Sequence, residues 1–241
     1  MEKIKVLFLT YYYPPQKCPR SIQISHLVQY LRHHFSLRVI TSYPEKAGDQ
    51  SLLKFTPLDN VNYAPKSLLT NFIEKSKGDR IKKAVLPDFQ YLWHRDLYSK
   101  TKRIIEEAAA DIIVTFGQPM STHIAGLKLK EKYPHLKWLA HFSDPWIDNL
   151  FNDYTRWVEF ANTCYQNAVF KNADRLIFTS PETIELVMRK YASEIHSKAL
   201  YLPHIFDENL YHSQKKEKKE GSFLKSDILV IFMGLANQTV Y

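Results

Sequence analysis

The sequence predicts a doubly wound α/β domain, a mostly parallel sheet with helices on both faces. Three observations carry this expectation. Short apolar runs rich in β-branched residues recur along the chain (IKVLFLTY, LRVITS, DIIVTF, KWLAHF, RLIFT and KALYLP). Segments with apolar residues at helical spacing stand between most of them. Strands that alternate with helices in this way imply βαβ units with right-handed crossovers.

The first strand, IKVLFLTY, ends in a Pro-rich loop, YPPQKCP, and Ile24, Leu27, Val28 and Leu31 then recur as one helical face. Leu37–Ser42 makes a second strand of the length and composition expected inside a parallel sheet. Between Glu45 and Asp88 little is periodic apart from a Lys-rich amphipathic piece over Leu68 to Val85. A helix over Leu92 to Ala110 leads into DIIVTF, the loop GQPMS, a helix over Thr122 to Lys132 and the strand KWLAHF. A further helix is expected to turn Trp157, Phe160, Ala161, Cys164 and Ala168 inward, with Trp146 and Trp157 as packing anchors. After RLIFT, Ser180 and Pro181 read as an N-cap and first-turn proline for a helix with its apolar stripe at Ile184, Val187, Met188 and Tyr191. KALYLP is the next strand. From residue 204 the texture turns polar and charged, with KKEKKE as a solvated linker, and ILVIFMG then reads as a new strand. The division this predicts is a domain over 1–203, a polar hinge over 204–223 and the first strand of a second domain over 224–241.

Composition narrows the function. The 241 residues are 45% hydrophobic, with 14 Phe and 15 Tyr, which is ample material for a core. Two cysteines, Cys18 and Cys164, are too few and too far apart for a disulfide framework or a zinc site, which points to a reducing compartment, the cytoplasm. No run approaches the roughly 20 apolar residues of a membrane span, and no secretory leader pattern opens the chain. The net charge of +8 permits nucleic acid, an anionic membrane or a phosphorylated small molecule as partner. No RNA-recognition, zinc-finger or helix-turn-helix signature supports nucleic acid. The aromatic and basic segment Asn71–Tyr98 is either peripheral to an anionic membrane surface or an amphipathic core helix with a solvated face.

In an open α/β sheet, ligands collect beyond the carboxyl ends of the strands. The useful residues therefore follow each apolar run: Tyr11 to Ser21, Gly117 to His123, His141 to Trp146 and Thr179 to Glu182. The loop after the first strand, PPQKCPRS, holds no glycine, which argues against a dinucleotide-binding turn; a P-loop signature is also missing. Lys17, Arg20 and Ser21 can still offer charge and a hydroxyl to a phosphate near a helix N-terminus. Asp144 can orient a hydroxyl or stabilise developing positive charge, or it caps the turn before Pro145. His141 binds a polar ligand or is a core histidine with a backbone partner, and Ser121 contacts ligand, with Gln118 and His123 beside it, or is only an N-cap.

VLFLTYYYPP, VTFGQPMSTHIAGLKLK, WLAHFSDPWIDN, RLIFTSPETIE and YLPHIFDENLY occur in the order seen in family 4 glycosyltransferases of the GT-B fold, and the chain resembles the bacterial branch that works on surface polysaccharides. Its Pro-Pro-x-Ser-x-His loop corresponds to Gln118 to His123, and its Asp-Phe-Arg-Asp-Pro-Trp strand end to His141 to Trp146. Two departures stand out: the paired glycines of the first loop are Lys17 to Arg20 here, and Pro-Asn-Gly-Val-Asp before the hinge is Pro203 to Asp207.

The resemblance implies a Rossmann-like, acceptor-binding N-terminal half of a retaining enzyme that moves a sugar from a nucleotide-sugar to a surface-polysaccharide or lipid-linked acceptor. It implies no metal and no cofactor beyond the nucleotide-sugar co-substrate, and a cytoplasmic place, at the inner face of the membrane where the acceptor is lipid-linked. Asp144 and His141 would be the catalytic residues; Lys17, Arg20, Ser21, Gln118, Ser121 and His123 would bind substrate. The donor motif would lie in a C-terminal domain that this chain does not supply, so the chain alone would be inactive. Two alternatives stay open: a nucleotide-sugar epimerase of the same fold, and a non-catalytic sugar- or phosphate-binding module acting with a separate chain.

Overall fold

A computed structural model describes residues 3–44, 53, 56, 59–75, 87–88, 90–149, 154–205 and 229–234. The strands are β1 (Lys5–Leu9), β2 (Ser36–Ser42), β3 (Val61–Ala64), β4 (Ile112–Phe116), β5 (Lys137–Phe142), β6 (Arg175–Phe178) and β7 (Ala199–Tyr201). The helices are α1 (Pro19–Leu31), α2 (Leu68–Lys75), α3 (Trp93–Ala108), α4 (Ser121–Lys132), α5 (Arg156–Asn172), α6 (Pro181–Met188) and α7 (Ser193–His196). The strands form one seven-stranded sheet in the order β3-β2-β1-β4-β5-β6-β7. Every pairing is parallel, so the sheet is α/β and Rossmann-like, as expected.

Alternation along the strands divides the core, because successive side chains of a strand point to opposite faces. Leu7, Leu9, Ile113, Trp138, Ala140 and Leu176 face α3, α4, α5 and α6. Val6, Phe8, Ile112, Val114, Leu139 and Ile177 face α1. Both layers are nearly dry, which is why the strands read as continuous apolar runs rather than alternating ones. Helix α4 lies so close to the sheet that a Cβ on Gly126 would stand 2.7 Å from Thr115 Cγ2 and from two indole atoms of Trp138. Lys198 closes the far end of α5, donating to the carbonyls of Phe170, Lys171 and Ala173 at 3.3, 2.7 and 2.9 Å. The cap at α6 is as expected, with Thr183 N donating to Ser180 Oγ at 3.1 Å.

Three expectations are corrected. The buried residues of α5 are Val158, Asn162, Gln166, Val169 and Phe170, not the face led by Trp157. Trp157 is 70% and Phe160 62% exposed, so Trp146 is a packing anchor and Trp157 is not. The apolar stripe misled because two amides sit on the inner face: Asn162 Oδ1 accepts from Trp146 Nε1 at 3.1 Å and Gln166 Oε1 from Ile147 N at 3.3 Å. Ser121 is not an N-cap; it is the first residue of α4, and the carboxylate of Asp88 accepts its N–H at 2.8 Å. Residues 229–234 are helical rather than a strand. There Phe232 is buried against Phe8 and Phe35 while Val230 and Met233 face outward, a one-sided burial that an apolar run of this length permits as helix or strand. In α2, Leu68 is 90% and Phe72 69% exposed. The remainder of the Lys-rich piece, KKEKKE and most of the hinge lie outside the described residues. Strand β3 and helix α7 had no legible signal.

Candidate functional site

The chain winds from β1 outward to β3, then returns to β4 and winds the other way to β7, so strand order reverses between β1 and β4. A crevice beyond the carboxyl ends of β1, β4 and β5 is where such a sheet binds ligands. Three segments converge on it: the loop from β1 into α1, the loop from β4 into α4, and the segment after β5.

Arg20 is the hub. It sits in the first turn of α1, whose N-cap is Cys18, with Ser21 N donating to Cys18 Sγ at 3.4 Å. It is buried, 7% exposed. Its Nη2 donates to Ser143 Oγ, and Ser143 Oγ donates to Asp144 Oδ2 at 3.1 Å. Burial lowers the guanidinium to about 10 and the nearby Asp144 charge opposes that shift, so Arg20 is a cation at neutral pH. Thr179 Oγ1 donates to the Ser143 carbonyl at 3.1 Å and fixes that turn from β6.

Histidines surround the guanidinium. His123, the third residue of α4, is fully buried, with Nδ1 2.7 Å from Thr115 Oγ1; that oxygen also accepts from Trp138 Nε1 at 2.9 Å. Burial first, and the charge of Arg20 second, push its imidazole down to about 3. His141 is held well below the usual range by burial, then by Arg20, His204 and His123. Its ring lies 5.0 Å from that of Phe116 and 6.5 Å from that of His204. All are neutral donors or acceptors at pH 7, not cations. Gly117 makes the arrangement possible: a Cβ there would stand 2.9 Å from His123 Nε2 and 3.0 Å from Met120 Sδ.

Most buried polar atoms are hydrogen-bonded. In this crevice Arg20 Nη1, Ser21 Oγ, Thr122 Oγ1, His123 Nε2 and His141 Nδ1 are buried and make no hydrogen bond with the described residues. An unpartnered guanidinium nitrogen, with hydroxyls and neutral imidazoles around it that can donate or accept, suits an anionic or hydroxyl-rich ligand.

The structure therefore brings Arg20, Ser21, His123, His141 and Asp144 to one crevice. Ser121 is buried at the start of α4, against Asp88. Gln118 is exposed at the rim, with φ of 57°, a left-handed backbone that non-glycine residues adopt at a cost and that recurs at ligand sites. Lys17 is exposed on the loop before α1. Sequence reasoning missed Thr115, His204 and Asp88. Thr115 was hidden inside an apolar strand, and Asp88 reaches α4 across 33 residues of sequence, which no local pattern shows. His204 follows the last strand, a position that could have flagged it.

Among the described residues, no group of three or more His, Cys, Asp or Glu is placed to hold a metal ion. Nor is any helix among them long and apolar enough to cross a membrane.

No family model and no curated protein matches the sequence. Solved structures do. A UDP-glucosyltransferase from Polygonum tinctorium, solved in complex with 3,4-dichloroaniline, superposes with a TM-score of 0.59 at 10% identity, over 91% of this chain and 56% of that one. UDP-N-acetylglucosamine 2-epimerase from Rickettsia bellii gives 0.53 at 7% identity, over 84% and 45%. The N-terminal domain of Candida albicans trehalose-6-phosphate phosphatase gives 0.53 at 14% identity, over 97% and 55%. The likeness is one of fold. The chain spans about half the length of each of these proteins.

Proposed function

We propose that this chain supplies the acceptor-side half of a glycosyltransferase that moves a sugar from a nucleotide-sugar to a surface-polysaccharide or lipid-linked glycan. The observation that carries the reading is Arg20: a buried cation, hydrogen-bonded through Ser143 to Asp144, with Nη1 unpartnered among the described residues at the point where strand order reverses. A phosphoryl oxygen is the partner such an atom lacks. Lys17 and Ser21 stand on the same loop and helix start and add a charge and a hydroxyl to that subsite.

Asp144 takes the role of orienting the acceptor hydroxyl and countering positive charge that develops on the transferred sugar. His141, kept neutral by burial, hydrogen-bonds that hydroxyl or a neighbouring one. His123, Ser121 and Gln118 line the α4 side. The mechanism asks for no metal, and the second domain would bring the donor nucleotide.

An epimerase reading is favoured equally by fold likeness, through the 2-epimerase from Rickettsia bellii. Calorimetric titration of the chain and its Asp144→Ala variant, with nucleotide-sugars and with lipid-phosphate sugar acceptors, separates the two. Binding of acceptor analogues with weak binding of nucleotide-sugars, and a weaker acceptor in the variant, supports the transferase half. Tight binding of a nucleotide-sugar by this chain alone sinks it and favours the epimerase.

A further inference from the structure

A cavity of ≈ 300 Å³ opens beside the crevice, on the other flank of the loop from β4 into α4. Tyr12, Trp146 and Tyr154 give it aromatic walls, and Asp88, Gln118 and Asn149 bring polar side chains to it. Among the described residues, no lysine, arginine or histidine lines it. The volume is at the low end of the roughly 300–1,000 Å³ of small-molecule sites. Its chemistry differs from that of the Arg20 crevice. A carboxyl in the wall disfavours a phosphate, whereas amides, a carboxyl and aromatic faces suit a ring that is apolar on its faces and hydroxylated at its rim.

The carboxyl and one aromatic wall are held in place. Asp88 accepts from Ser121 N at 2.8 Å and from Gln90 N at 3.2 Å, so its carboxyl is oriented by α4 while retaining acceptor capacity. Trp146 is anchored through its Nε1 to Asn162 Oδ1 at 3.1 Å. The buried amides of α5 thus have a purpose: Asn162 and Gln166 hold the Pro145–Asn149 segment that forms one wall. Gln118 lies in the loop from β4 into α4, and Pro145 of the cavity wall directly follows Asp144.

We propose that this cavity is a subsite for a single uncharged sugar unit, with Asp88, Gln118 and Asn149 reading its hydroxyls and Trp146 and the two tyrosines covering its faces. Within the transferase reading, on which the ligand's place in the reaction rests, it would seat the acceptor sugar, with the reacting hydroxyl toward Asp144 and any phosphate toward Arg20. Binding itself is independent of that reading.

The test is saturation-transfer NMR and competition titration on the intact chain, with methyl glycosides of glucose, galactose, mannose and N-acetylglucosamine, and with glucose 1-phosphate as the charged comparison. At least one neutral glycoside is expected to bind, about tenfold more weakly to Gln118→Ala and to Asn149→Ala, and equally to Arg20→Met. Circular dichroism confirms that the variants are folded. Absence of saturation from every neutral glycoside would overturn the proposal, as would binding that survives both substitutions or depends on Arg20. Neutral-sugar binding without any phosphate-dependent binding at Arg20 would leave this subsite standing and remove the basis of the transferase reading; the reverse result would do the opposite.

Discussion

His123 supports a quantitative prediction. Its imidazole is neutral in the folded chain because burial, with Arg20 nearby, lowers it from 6.5 to about 3. The folded value lies below the unfolded one. As the pH falls, the unfolded state therefore takes up a proton first, and stability present above pH 6.5 is lost on the way down to pH 3. Between pH 7.5 and pH 5 the loss from this residue is about 2 kcal/mol. His123→Asn removes the titration while its amide can still reach Thr115 Oγ1, the 2.7 Å partner of Nδ1. Urea denaturation of both proteins at the two pH values gives the comparison, since the other buried histidines titrate alike in each and cancel. The parent should lose about 2 kcal/mol more than the variant over this interval. An equal loss in both would show that His123 is solvated or already protonated, and would refute the account of a dry, cation-centred crevice.

Other substitutions test particular contacts. Gly126→Ala should destabilise the chain by about 1–3 kcal/mol, because the added methyl meets Trp138 and Thr115 at 2.7 Å, although alanine in an open helix position gains about 1 kcal/mol over glycine; a raised melting temperature would contradict this. Trp146→Ala should cost about 3–5 kcal/mol in denaturant titrations and Trp157→Ser less than about 0.5, the reverse of what the sequence pattern suggests. Asp88→Asn should abolish a loss of stability that the parent shows as pH rises from about 4 to about 6: burial raises the carboxyl from 3.8 to about 6, so the stability present below pH 4 fades as it ionises. Lys198→Met should cost about 1–3 kcal/mol by leaving three carbonyls at the end of α5 without their common donor, read from the unfolding midpoint.

The strands were legible because a parallel sheet covered on both faces demands runs such as DIIVTF and KWLAHF, which few other structures can bury. The convergence of Arg20, His141 and Asp144 was legible for a related reason, since the segments that follow parallel strands meet at one end of the sheet. What was not legible depends on contacts between distant parts of the chain. Asn162 and Gln166 face inward only because Trp146 and Ile147 offer them hydrogen-bond partners, so the aromatic stripe of α5 lies on its outer side. Asp88 caps α4 from another segment, leaving Ser121 free of the capping role its residue type suggests. The run at 229–234 became a helix because burial of Phe232 against Phe8 and Phe35 needs one side only.

The central claim is that Arg20 holds a phosphoryl group next to Asp144. Phosphorus NMR titration of the chain, of Arg20→Met and of Arg20→Lys with glucose 1-phosphate and inorganic pyrophosphate tests it most directly. The account predicts saturable shifts for the parent, their loss in the methionine variant and partial retention with lysine, which keeps the charge but not the planar fork. Equal binding by all three proteins would contradict it.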